Sequence, residues 1–421
     1  AGDDFIVDTD TLVVEGDNNR VGIGTASPPS ILTVKDSSGD TDSAAKALMI
    51  LADDGSTNSN TDICGSLVFA GTNNAGAGKV SAQIDSPSTS NWGDAEAHGY
   101  GSLSFKVGFG SALNERMKIT NNGIESVRPG TNNEAFGFQA GHSLSDGIYN
   151  TALGYEALTT NTQGDKNTAI GYKAGRLYNP TADYGGSTFV GHEAGATTTT
   201  ARKATVMGDR ACGVGTMTGE GNTALGYFAG ADLAAGAYNT FVGLETGSNA
   251  TSGDFNVAVG TTALKNGVVT GDENVAIGHD AGYSISSGQY NTMVGGKSAE
   301  GLTTGSSNVL LGYRAMYRAT TAADSNVAIG YESMGGNWGT ADVNNCVAIG
   351  RDTLASTLTS AASQQVAVGD TALYGCTSGS ENVAVGYMAL ADLTTGGSNV
   401  AVGFKAAQNL ELGESHNIAI G

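Results

Sequence analysis

Asn167-Thr168-Ala169-Ile170-Gly171-Tyr172-Lys173-Ala174-Gly175 is a phrase that the chain keeps rewriting. It returns as Asn222-Thr223-Ala224-Leu225-Gly226-Tyr227, as Asn274-Val275-Ala276-Ile277-Gly278-His279 and as Asn382-Val383-Ala384-Val385-Gly386-Tyr387. Aligned on its glycine there are 17 copies, from Gly137 to Gly421. Successive glycines lie 17 or 18 residues apart, with three longer steps: Gly171 to Gly191, Gly330 to Gly350 and Gly350 to Gly369. A fixed period of this kind predicts stacked units, each unable to bury its apolar side alone.

The alternation inside the unit identifies the stacked element. An apolar residue precedes each glycine (Ile170, Val190, Leu225, Val259, Ile349), and Thr, Val or Ile stands three before it in every copy but the first. Between them the residue is usually Ala, as at Ala169, Ala276 and Ala401. Side chains two apart share one face of a strand, whereas a helix needs spacings of three and four. One strand per period predicts a parallel β-solenoid, or β-roll, with coils of 17–18 residues. On this reading the bulky face (Ile170, Ile277) fills the coil. The Ala/Gly face (Ala169, Gly171, Ala276, Gly278) then leaves room for another backbone, most simply a sister chain on a threefold axis.

Asn heads the strand in 13 of 17 copies, Asn167 and Asn274 among them; Ser187, Ala204, Cys346 and Gln365 are the exceptions. Stacked Asn side chains form amide ladders and tolerate the left-handed turn that opens a strand, so this row needs no ligand.

Composition narrows the class. Of 421 residues, 64 are Gly and 14% are charged, which does not suit a close-packed α/β enzyme, while the periodic apolar rows argue against disorder. The formal charge of −21 disfavours binding to nucleic acid or to anionic lipid. Cys64, Cys212, Cys346 and Cys376 have no metal-ligand spacing, and free thiols are expected. No apolar run is long enough for a membrane span. The chain opens without Met and stops at Gly421 in mid-motif, as a piece of a longer protein would.

Taken in order, residues 1–35 read as a β-strand connector, 36–128 as a small antiparallel β-sandwich domain and 129–421 as the repeat shaft. The connector's strands are Thr11–Val14, Arg20–Thr25 and Ile31–Val34. Its Gly22-Ile23-Gly24 lacks the rest of a phosphate loop. The sandwich strands are Ala47–Leu51, Gly65–Phe69, Val80–Ile84, Ser102–Val107 and Arg116–Ile119, and Trp92 is read as packing over one end.

The phrase N-T-A-[ILV]-G-Y-x-A-[GL], with Thr-Thr-Gly between copies, resembles the repeat region of tail fibres from tailed bacteriophages, marine ones among them. Asn19–Thr25 and Asn114–Gly123 are similar to segments flanking such repeats. Asn-Val-Ala-Ile-Gly also resembles the head repeats of trimeric autotransporter adhesins, which form a β-roll trimer, although their period is shorter. The resemblance implies a homotrimeric fibre at the virion tail, outside the cell. Other virion or fibre proteins would meet its ends, and it would attach to a glycan or protein of the host surface. A bacterial surface adhesin or extracellular filament subunit of the same β-roll type is the alternative, and a fibre-borne glycan depolymerase a third reading.

Motifs for chemistry are absent. No catalytic residues, metal ligands or cofactors are assigned: the five His are scattered, no Ser/His/Asp set forms by local spacing, and neither calcium loop occurs. The protein is therefore read as a non-enzyme. Ice binding by Thr rows is disfavoured, because Thr alternates with Val at that position and faces inward on this reading. For recognition, insertions in solenoids tend to form loops on one side. The long steps contain Tyr178, Tyr184 and Trp338, which become the candidate receptor contacts.

Overall fold

The computed structural model describes residues 132–421 apart from 182–184, 320–321 and 411–412, together with the backbone of nine strands in the first 131 residues. It divides into two compact units, Ala1–Glu134 and Ala135–Gly421. Every regular element described is a β-strand.

In the first unit the strands are β1 (Leu12–Glu15), β2 (Arg20–Ile23), β3 (Leu32–Lys35), β4 (Ala47–Leu51), β5 (Ile63–Thr72), β6 (Gly78–Pro87), β7 (Leu103–Phe109), β8 (Ala112–Thr120) and β9 (Gly123–Ser126). They follow one another in a single sheet, antiparallel except where β2 meets β3. The strands expected between Thr11 and Ile119 are present, and β4 to β9 form a meander. A second sheet, which a sandwich requires, is not found among the described residues. Trp92 lies outside them.

The second unit is a parallel β-solenoid. Seventeen three-residue strands, from β10 (Glu134–Phe136) to β26 (Ile418–Ile420), stack in sequence order into one sheet. Each pairs in register with the next copy of itself: Thr168 opposite Thr188, Ala276 opposite Met293, Ile329 opposite Ile349. Sixteen steps of about 4.8 Å give a stack about 77 Å long.

The two strand faces are the reverse of the sequence reading. The middle residue points inward: Ala169, Ala276, Phe189, Phe241 and Met293 are completely buried. The flanking residues point outward, with Thr168 half-buried and Ile170 37% exposed, Ile277 39% and Leu153 45%. The reason is the width of the coil. In many coils the wall opposite the strand already carries a large buried residue, Leu158 opposite Ala152, Leu264 opposite Ala258 or Leu390 opposite Ala384, and leaves space for little more than a methyl group. Where the strand brings a ring instead, the opposing position is glycine. A Cβ on Gly175 would lie 2.8 Å from Phe189, and one on Gly247 would lie 2.7 Å from Phe241. A third row, in the return segment, completes the core with Met217, Leu233, Ile285, Leu302 and Leu393.

The repeated glycine is likewise explained within one chain. At φ +133, a Cβ on Gly171 would stand 2.3 Å from Gly191 O in the next coil. The close backbone neighbour of this glycine is the following coil of the same chain. Corners are also built from left-handed residues: 41 described non-glycine residues have positive φ. At most of these corners the chain turns while its N–H keeps pointing along the stack. Glu156 N donates to Phe138 O at 2.8 Å, Leu158 N to Ala174 O at 3.1 Å and Lys166 N to Ile148 O at 2.9 Å. Axial hydrogen bonds thus offset a conformation otherwise costing about 1 kcal/mol or more per residue.

Asn forms the expected ladder, inside the core. Asn167 donates its backbone N–H (2.9 Å) and its Nδ2 (3.0 Å) to Asn150 Oδ1. Asn150 Nδ2 donates to Gly164 O at 2.8 Å in its own coil. The ladder runs unbroken from Asn222 through Asn239, Asn256, Asn274, Asn291 and Asn308 to Asn326. It is interrupted at Ala204, which offers no side-chain oxygen, and at Cys346.

Candidate functional site

The most extended surface feature of the solenoid is the outer face of its sheet. Two rows run along it, one of Thr or Val and one of Leu, Ile, Val or Met. The first row is Thr from Thr151 to Thr240, then largely Val from Val257 to Val400. The second remains partly exposed throughout, with Met207, Ile349 and Val402 at 37–47%. Beside it, just past the glycine, stands an exposed aromatic row. Phe138, Tyr155, Tyr172 and His192 stack with ring centroids 5.2–5.3 Å apart. Tyr313 stacks on Tyr331 at 5.7 Å and Tyr387 on Phe404 at 5.3 Å.

Four residues of extended chain span about 13 Å, so the ribbon covers on the order of 1,000 Å². The outward Thr row removes one argument against ice binding. The other remains, since Val replaces Thr over most of the second half of the stack.

The next row carries charge. Arg210 Nε donates to Glu193 Oε2 at 3.0 Å and Arg314 Nη1 to Glu332 Oε1 at 2.9 Å, each across one coil step. Lys265 pairs with Glu245 in the same way. Glu193, Arg210, Glu245, Arg314 and Glu332 are all left-handed corner residues, which hold long side chains parallel on the surface. Exposed pairs of this kind contribute about 0–1 kcal/mol each.

Two of the three expected receptor contacts face the other way. Tyr178 is wholly buried; its hydroxyl lies 3.0 Å from Ser187 Oγ and its ring packs edge-on to Phe189 at 5.0 Å. Burial pushes its phenol up to about 12. Trp338 is 4% exposed and belongs to the core, its indole N–H without an acceptor among the protein atoms. The longer return lets the chain fold a large ring inward instead of bulging it outward. Tyr184 lies outside the described residues.

Cys212, Cys346 and Cys376 are buried free thiols. His192 and His279 lie exposed in the aromatic row, beside Asp209 and Asp280. Among the described residues no group of three His, Cys, Asp or Glu could hold a metal ion. No described helix is long and apolar enough to cross a membrane. No family model, curated protein or solved structure matches the chain.

Proposed function

We propose that this chain is a structural and adhesive fibre protein: a homotrimeric phage tail fibre that attaches a virion to the host-cell surface. One observation supports the trimer in this reading, the exposed ribbon of Thr or Val and Leu, Ile, Val or Met side chains along the whole sheet. Three copies set around a common axis would each turn the Ile170–Ile277–Ile349 row inward. About 1,000 Å² per chain is in the range that a stable association needs. At roughly 25 cal/mol per Å² of apolar surface, burial of its Leu, Ile, Val and Met side chains supplies a driving force larger than any single surface ion pair here. The trimer contact thus differs from the one read off the sequence, using the bulky face in place of the Ala/Gly face.

The fibre role itself rests on the resemblance of the repeat and its flanking segments to tail fibres, and on the stacked, one-dimensional build of the shaft. Its ends would meet other virion or fibre proteins, and its target would be a host surface glycan or protein. A bacterial surface adhesin or filament subunit would have the same coil.

Sedimentation equilibrium tests the assembly: three times the chain mass is expected, falling toward one in the double variant Ile277→Glu/Ile349→Glu. A wild-type monomer at micromolar concentration refutes the trimer. Immunogold labelling then separates the readings, with label on virion tails expected and label confined to cell surfaces favouring the adhesin.

A further inference from the structure

A cleft of about 450 Å³ opens on the solenoid where the two long steps follow each other, over the coils that begin at Asn308, Asn326, Cys346 and Gln365. Its floor is Gly335–Gly336. A Cβ on Gly336 would lie 1.8 Å from Ser356 O, so this stretch stays bare. At the same corner the coil on one side carries Tyr317 and Arg318, and two coils on the other way stands Tyr374. Those walls are three coil steps apart, about 14 Å along the stack. The cleft therefore comes from missing side chains between two aromatic walls.

The groups inside it are polar and unevenly used. Arg314 and Glu332 satisfy each other at 2.9 Å, and Asp352, the other lining carboxylate, lies 3.9 Å from Arg351. The guanidinium of Arg318 rests over the Tyr317 ring at 5.4 Å and has no carboxylate partner among the described residues. An unmatched arginine is notable on a chain of net charge −21. Tyr374 is half exposed, and its ring has no stacked or cationic neighbour among the described residues. Asn337 and Thr357 present an exposed amide and hydroxyl between them.

This set matches one ligand chemistry. An open tyrosine face takes the C–H face of a sugar ring, amides and hydroxyls take its hydroxyls, and a free guanidinium takes a carboxylate bidentately. The volume is within the range of small-molecule sites. We infer that this cleft binds a short acidic oligosaccharide, two or three rings long, with an acid group on Arg318 and one ring on Tyr374. All the residues come from one chain, so the inference does not need the trimer; it rests on the attachment reading only for its biological setting.

The test is an array of acidic and neutral oligosaccharides probed with the full chain and with Arg318→Gln and Tyr374→Ala. Both side chains lie at the surface, and matched circular-dichroism melts establish that the variants fold. Wild type should bind uronic- or sialic-acid glycans. Tyr374→Ala should weaken this at least tenfold, and Arg318→Gln should remove the preference for acidic over neutral chains. No binding to any acidic glycan, or binding unchanged in both variants, overturns the inference. Cell adsorption separates it from the fibre reading: adsorption intact in both variants removes the cleft alone, whereas glycan binding without adsorption removes the attachment role alone.

Discussion

Phe189 and Gly195 are two halves of one packing unit: a methyl group on Gly195 would stand 2.3 Å from Phe189 Cδ1. The same match recurs between Phe241 and Gly247, and in inverse form where Ala152 and Leu158 or Ala258 and Leu264 share a coil. In these four coils the strand's middle residue and the residue six later are complementary in size; in others both are small, as at Ala169 and Gly175, or both large, as at Leu310 and Met316.

Phe189→Ala should cost about 3–5 kcal/mol through the cavity it leaves, and Gly195→Leu alone should also destabilise by overpacking. Together they recreate the Ala152/Leu158 arrangement, and the double variant should recover about half of the summed loss. Denaturant melts at one fixed protein concentration measure this. Simple additivity of the two losses would show that the positions do not share space.

The amide ladder gives a second expectation. Asn274 Nδ2 donates to Asn256 Oδ1 at 3.1 Å and to Gly288 O at 2.8 Å. Asn274→Asp replaces that donor with a buried carboxylate oxygen facing two acceptors, and should cost about 3–5 kcal/mol. Ala204→Asn, which extends the ladder toward Asn222, should stabilise by about 1 kcal/mol. Melting temperatures that fail to move in opposite directions would mean the ladder is incidental.

The thiols set an alkaline limit. Burial raises Cys212 to about 12, and Cys346 and Cys376 to about 11, from an ordinary value of 9.0. A folded-state pKa above the unfolded one gives stability that is complete below about pH 9 and is lost as pH rises through 11 and 12. Each thiol steepens that loss by about 1.4 kcal/mol per pH unit. Iodoacetamide at pH 8 should leave all three unlabelled until the chain is unfolded. Replacing them with Ala should flatten the fall in melting temperature above pH 9; an unchanged slope would assign that fall to other groups.

The period, the strand and its parallel register were legible in the sequence because they depend only on spacing. Which face is the core was not, because alternation is symmetric. It states that Thr168 and Ile170 share one side and Ala169 takes the other, and nothing more. A size match across a six-residue gap, as between Phe189 and Gly195 or Ala258 and Leu264, hints at the core face, but strand patterning does not inspect that gap, and Ala169/Gly175 and Leu310/Met316 do not keep the match. Trp338 and Tyr178 were misplaced for a related reason. A longer return can carry a ring inward as readily as outward, and only the neighbouring small residues tell which. The cleft was hidden because Gly335–Gly336 marks it by lacking side chains.

Since each coil packs only against the one before and the one after, the protein's reach comes in whole increments. Recombination between matching phrases, such as those at Asn222 and Asn239, would lengthen or shorten it by one turn of the solenoid without redesigning any interior. A cut falling between Gly175 and Gly195 would instead separate Phe189 from one of its two hollows. The tolerated sites for such shuffling are therefore written in the alternation of large and small residues along the inner wall.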